Sequence, residues 1–335
     1  MKKITYIHDI RGIAAFFIVL IHCNIFNKNS DVIFTTWSHF LKEWTAVFVL
    51  ISGFLFQLLV DKYKFMPFMK VKVKNVITPY LIISIPAILI YILGFKKDHN
   101  WVDIESLIEH TTIYVISFFY ATGSHLGPLW FIPVLVLIFL TSKPLSMLHK
   151  NEMLFIFVSV LSVIAIVFTS RPPQDSNAII SYFHFLPVYI IGMVICFYRD
   201  ILILPQKKYL YLILFLFFFI FEVYFELNPS FSILSKIILF LFMCSYFMHL
   251  DNKGVRFRIL SFLADISFTL YFLHGYFVGA IRAVLSRKAD VILQDSSLSA
   301  VLISILATAI IILTISMVYV FLNKLKINTR VLIGS

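Results

Sequence analysis

The sequence predicts an all-α, polytopic membrane helix bundle of about ten transmembrane helices. Three observations carry that expectation: composition, the lengths of the apolar runs and the placement of the basic residues. Of 335 residues 61% are hydrophobic and 13% charged, against roughly 25% charged in an ordinary soluble domain. No water-soluble core buries that much apolar surface, and the mean hydropathy of +0.95 says the same. The apolar residues fall in runs of about 17 to 25, the length a helix needs to cross roughly 30 Å of hydrocarbon. The runs are helices because a backbone in lipid must satisfy its own N–H and C=O groups.

In order, the spans are expected at 5–27, 37–60, 76–94, 128–147, 153–169, 179–198, 209–225, 231–250, 259–282 and 297–322. The first follows a Lys-rich start, carries Arg11 and His22 and lacks a small-residue cleavage site. It is therefore a retained helix and not a signal peptide. Residues 103–121 (DIESLIEHTTIYVISFFYA) open with three acids and are too short to cross, so they are expected at the interface or re-entrant. The whole forms one domain over 1–335, a bundle over approximately 5–322 with a short cytoplasmic tail at 323–335.

With the N-terminus inside, 19 of the 28 Lys and Arg fall on the cytoplasmic side, leaving 9 outside. This matches the positive-inside rule, persists into the late loops and supports an even number of crossings with both termini cytoplasmic. The net charge of +11 is then a topology signal. Nucleic-acid binding would need the basic residues on one soluble face, and there is no such domain. Cys23, Cys196 and Cys244 lie in apolar segments without CxxC or Cys/His spacing, so neither a disulfide nor a metal site is expected. No internal repeat speaks for an inverted-repeat transporter.

Function has to come from polar groups that tolerate the membrane, where an ionisable residue costs at least about 2.5–3.5 kcal/mol. Arg11 and His22 are eleven residues apart, so both share one helix face roughly 16 Å apart along the axis. A guanidinium at the inner end suits the phosphates of a cytosolic donor, and an imidazole deeper in exchanges a proton near neutral pH. The alternative is a snorkelling arginine and a histidine bonded within the bundle. Ser267, Tyr271 and His274 in ISFTLYFLHG form a second one-face stripe; interhelical hydrogen-bond glue is its alternative. Ser52 and Gly53 in FVLISGFLF suit either close helix approach or backbone approach to a ligand. Lys70, Lys72 and Lys74 precede Pro79 on the inner side, where they grip phosphates or merely set topology. On the outside, HLGPLWF brings His125 and Trp130 to the start of the fourth span, an interfacial anchor or a platform for a sugar ring.

Together these segments resemble the acyltransferase 3 family of integral membrane proteins. RGIAAFFIVLIH is similar to its Arg-x10-His signature, FVLISGFLF to its Phe-x-x-Ser-Gly-Phe element, LWF to its Trp-Phe element and FLPVYIIG to the segment ending at Gly192. SFTLYFLH resembles its late Ser-Tyr-x-x-Tyr-x-x-His element, and the ordered set runs across nearly the whole chain. There are departures. His8, with Asp9 beside it, stands where the family has Asp or Gln; Lys72 and Asn75 stand where two arginines precede the Pro; Phe268 replaces a Tyr. Lysine keeps the charge but loses the bidentate fork, and asparagine loses both.

The resemblance implies transfer of an acyl group, most often acetyl, from cytosolic acyl-CoA to a hydroxyl of a cell-surface or lipid-linked saccharide, in the cytoplasmic membrane and without a metal. On that reading Arg11, Lys70, Lys72 and Lys74, with Ser52 and Gly53, receive acetyl-CoA or another acyl-CoA. His22 is general base or acyl carrier, Tyr271 and His274 position or polarise the reacting group, and Trp130, His125 and Ser267 meet the acceptor. Two other classes stay open: a glycan or small-molecule translocase, which would neither bind nor hydrolyse acyl-CoA, and a glycan polymerase, from which the mostly short outer loops argue away.

Overall fold

The computed structural model describes residues 4–27, 31–225, 229–285, 293 and 295–335; Lys2 and Lys3 of the basic N-terminal start lie outside them. The described residues form a polytopic helical bundle. Seven helical stretches are long and apolar enough to cross a membrane: Thr5–Cys23, Val32–Leu58, Phe65–Ile92, Ala178–Phe197, Phe231–Asn252, Ser267–Leu285 and Ser297–Lys324. Two helix pairs bent by 77° and 119°, Thr112–Thr122 with Gly127–Leu140 and Ser142–Leu148 with Glu152–Phe168, bring the number to nine if each pair is one span. The 17-residue Lys208–Tyr224 helix fills the remaining apolar run.

Helix α1 (Thr5–Cys23) is the hub. After α2 (Val32–Leu41), it packs against α3 (Trp44–Leu58). Later it meets α14 (Pro229–Asn252), α15 (Arg258–Asp265), α16 (Ser267–Leu285) and α17 (Ser297–Lys324), so its polar residues are enclosed by protein and not by lipid. Between these lie α4 (Phe65–Lys72), which runs through a π-helical turn at Val73–Ile77 into α5 (Thr78–Ile92), and then α6 (Ile104–Ile108) and α7 (Thr112–Thr122). They are followed by α8 (Phe131–Leu140), α9 (Ser142–Leu148), α10 (Glu152–Phe168), α11 (Ala178–Phe197), α12 (Arg199–Leu202) and α13 (Lys208–Tyr224).

The segment expected at the interface or re-entrant is two short helices, and α7 meets the next crossing at a bend of 77°. Reciprocal bonds hold it to α5: Tyr80 donates to the Tyr120 carbonyl and Tyr120 to the Leu81 carbonyl, each at 2.9 Å. Four expected boundaries are corrected. The second span starts at Val32 and breaks at Lys42–Glu43, where Glu43 takes a left-handed φ of 60°. The third extends back to Phe65 through the π turn. The fourth ends at Leu140 before α9, and the ninth is divided at Ile266 between α15 and α16. The tail packs back on the bundle: α18 (Thr329–Leu332) lies on α5, Ile333 is buried, and the Thr269 N–H donates to Ser335 Oγ at 3.1 Å.

Contacts between loops sort the two ends. At the lysine-rich end, which the charge distribution assigns to the cytoplasm, Tyr63 bonds Ser142 at 2.8 Å and His149 meets Gln57 at 2.7 Å and Asp61 at 3.2 Å. At the outer end Asn24 donates to Ser38 and Arg171 pairs with Glu43.

Candidate active site

His22, near the outer end of α1, and His274, in the middle of α16, face each other with ring centroids 5.1 Å apart. The i+3 spacing from Tyr271 brings that ring to 6.3 Å from His274. His274 is fully enclosed and its Nδ1 lies 2.7 Å from the Leu270 carbonyl. A carbonyl only accepts, so Nδ1 carries the proton and Nε2, which has no bonding partner, presents its lone pair. Tyr271 donates to the Pro128 carbonyl at 2.5 Å. Gly275 makes this docking possible, since a Cβ there would lie 2.9 Å from both the Leu126 and Pro128 side chains.

One turn toward the cytoplasm an apolar cavity opens between α1, α3, α8 and α16, lined by Ile18, Ser52, Phe131, Phe268 and Tyr271 among others. Arg11 stands at the far end of α1, three turns from the histidines. The break at Ile266 leaves the α15 terminus facing it, and Arg11 Nη2 donates to the Ala264 carbonyl at 2.7 Å and lies 3.4 Å from His8 Nδ1. Its Nε is buried without a partner. His8 Nε2 is 3.2 Å from Asp265, and Ser261 donates to Asp9, so His8 and Asp9 brace the same end. Lys70 and Lys74 are exposed, whereas Lys72 turns inward over the rings of Phe68 (5.1 Å) and Phe139 (4.6 Å).

A family of membrane proteins described as the acyltransferase domain matches residues 4–318, nearly the whole chain. The chain belongs to the acyltransferase 3 family. It is an acyltransferase of the multi-pass membrane kind. No curated protein and no solved structure matches it. Within this acyltransferase the Arg-x10-His helix and the late Ser-x-x-x-Tyr-x-x-His helix, some 250 residues apart by number, are neighbours that share one facing pair of imidazoles.

The other residues singled out from sequence divide. Trp130 lies on the outer side of the pair, two residues beyond the Pro128 that Tyr271 holds. His125 turns away toward α5 and α7, with Nδ1 3.1 Å from the Phe119 carbonyl and its ring near Tyr80. Ser267 is buried at the start of α16, two turns on the cytoplasmic side of His274. Ser52 lines the cavity, but Gly53 does not: a Cβ on it would run into the Tyr189 carbonyl of α11. Its smallness serves helix packing. Arg11, three turns from the imidazoles, is likewise no neighbour of the reacting centre.

The structure adds residues the sequence reading passed over. Arg171, in the outer loop between α10 and α11, donates to Glu43 at 2.9 Å and to both oxygens of Asp175 at 2.7–2.9 Å. Its guanidinium covers the Trp130 ring at 4.7 Å. Burial works against the charge on Arg171, but the two carboxylates outweigh it and hold the group above its ordinary pKa. His184 and Phe185 of α11 complete the outer wall. The available signal was charge inside an expected span, for Glu43 and His184 both fall in one.

Proposed function

We propose that the protein transfers an acetyl group from cytosolic acetyl-CoA to a hydroxyl of a cell-surface or lipid-linked saccharide in the cytoplasmic membrane. The observation that carries this reading is the His22–His274 pair standing between an apolar cavity on the cytoplasmic side and an aromatic, hydrogen-bonding wall on the outer side. The donor's phosphates meet Arg11 and the Lys70–Lys74 edge, where charge-assisted bonds are the strong ones. Its pantetheine arm would pass Ser52 between α1, α3, α8 and α16, parting these helices to widen the small cavity there, and bring the thioester to the histidines.

His22 takes the proton of the acceptor hydroxyl as the oxygen attacks the thioester carbon. The new C–O bond forms, the C–S bond breaks, and the imidazolium returns the proton to the leaving thiolate, so donor and acceptor balance without a net proton. His274, with its tautomer fixed by Leu270, offers a lone pair beside this proton, and Tyr271 keeps the 126–130 turn in place.

The test is release of CoA from radiolabelled acetyl-CoA by the protein in lipid nanodiscs, with and without a crude membrane-glycan extract. Glycan-dependent release is expected, falling about 10²-fold or more in His22→Ala, the usual range for a lost general base. In Arg11→Ala the main effect is expected on acetyl-CoA affinity. Turnover retained in His22→Ala removes that side chain from the mechanism, and no binding or turnover with a panel of acyl-CoAs overturns the reading.

A further inference from the structure

Three buried acceptor atoms around the outer side of the histidine pair have no partner. Glu43 is 7% exposed and spends Oε1 on Arg171, leaving Oε2 unbonded. His184 is fully buried. Its Nδ1 lies 3.2 Å from Thr169 Oγ1, whose single hydroxyl proton goes to the Ala165 carbonyl, so Nδ1 donates and the unpartnered Nε2 carries a lone pair. His274 Nε2 is the third. Buried polar atoms are almost always bonded, and an exception calls for a reason.

Glu43 is also held against its backbone preference. It occupies the left-handed region at φ 60°, in the break between α2 and α3, a conformation that costs a non-glycine residue about 1 kcal/mol or more. That break points the carboxylate at Arg171 rather than into the lipid. Around it charges alternate: buried Lys236 and Arg171 bear on Glu43, and Asp175 closes on Arg171. The cluster adjoins the reaction centre, since Arg171 covers the ring of Trp130, two residues beyond the Pro128 whose carbonyl Tyr271 bonds.

We propose that Glu43, His184 and Trp130, braced by Arg171 and Asp175, form the acceptor subsite, and that it takes a neutral, polyhydroxylated ligand, a sugar ring without charge. The chemistry follows from what is missing. All three open positions are acceptors, so the ligand must bring donors, and hydroxyls do. An anionic sugar keeps its hydroxyls but adds a carboxylate, which would face Glu43 and a cation already saturated by two carboxylates. An ammonium would meet the guanidinium that covers Trp130. Hydroxyls bonded to Glu43 Oε2 and His184 Nε2 would set the ring so that another hydroxyl reaches the His22–His274 pair.

This deepens the acyl-transfer reading, but binding can be measured without turnover. Saturation-transfer NMR on the full-length protein in nanodiscs would use methyl hexopyranosides as probes, beside the matching methyl uronides and amino-sugar glycosides. The neutral glycosides are expected to bind, the charged ones at least about tenfold more weakly, and Glu43→Gln, which puts a donor where Oε2 was, to lose about tenfold or more. His184→Phe leaves the Glu43–Arg171 pair intact and is expected to weaken the same probes, with retained acetyl-CoA binding showing that each variant is folded. Absence of neutral-glycoside binding, a preference for the uronides, or full binding in both variants overturns the subsite. Glu43-dependent binding with no turnover of any acyl-CoA in the panel sinks the proposed acetyl transfer and leaves the subsite standing.

Discussion

Three polar side chains inside this bundle are each stationed by a backbone irregularity beside them. Arg11 meets a carbonyl freed at the α15–α16 break, Glu43 sits in the break before α3, and Tyr271 bonds a carbonyl in the 126–130 turn. In sequence, helical periodicity reveals which residues share a face, and this was enough to place Arg11 with His22 and Tyr271 with His274. It does not reveal which faces meet, so the 5.1 Å imidazole pair was legible only as two histidines at similar depth. Arg171 was hidden for another reason: an arginine in a loop resembles ordinary surface charge until its two carboxylates and Trp130 are seen around it. One residue in the outer loops carries a pH prediction. His99 Nδ1 accepts from the Trp101 and Val102 amides, while Nε2 donates to the Ser124 carbonyl at 3.0 Å. Burial lowers its pKa below the ordinary 6.5, with the Ser124 carbonyl pulling upward and Lys96 adding to the lowering. The fold therefore favours the neutral ring, so its contribution is complete above about pH 6.5 and is lost as pH falls through the lower folded value. Hydrogen exchange at Trp101 and Val102, corrected for intrinsic rate, should lose protection on acidification in the wild type and show no such step in His99→Asn; a flat wild-type profile refutes the assignment.

At the scale of elements, apolar run length located the crossings well and their interruptions poorly. A break made at an apolar residue costs nothing in hydropathy, so Ile266 left no trace in the runs, whereas the break at Lys42–Glu43 carried its signal in charge. The breaks persist because neighbouring protein satisfies the freed backbone, as Arg11 does for Ala264. Small residues were better guides. Gly53 of α3 and Gly192 of α11 interlock, and a Cβ on Gly192 would strike the Leu50 carbonyl and come within 3.0 Å of the Leu50 Cα. Backbone cannot swing aside as a long side chain does, so Gly192→Ala must push α3 away from α11. A loss of about 1–3 kcal/mol in stability is expected from such overpacking. Thermal unfolding of the purified variant in detergent should show it as a lowered midpoint, and the residual folded protein should keep its affinity for acetyl-CoA. An unchanged midpoint means the two helices have slack that the close approach conceals.

Across the whole molecule, the proposed acyl transfer puts its two substrates on opposite sides of one short reactive layer. Arg11 and His22 share α1 about 16 Å apart along its axis, which sets the inner, Arg11 end apart from the outer wall of Trp130, Glu43 and Arg171. The charge bias assigned those ends before any contact was known, because 19 of 28 basic residues gather on one side. The contacts respect that division: Ser142 and His149 meet the loop after α3, whereas Arg171 meets the residue before it. This makes sidedness testable in intact cells. Pro173 and Lys150 are exposed at the two ends of α10, and the native thiols Cys23, Cys196 and Cys244 are buried, so background labelling should be low. Pro173→Cys should react with a membrane-impermeant maleimide added outside, and Lys150→Cys only after permeabilisation. The reverse pattern would invert the bundle and put Arg11 outside, where no cytosolic acyl-CoA reaches it. Labelling of both sites from outside would mean that α10 does not cross, and the outer wall would then have to be rebuilt without Arg171.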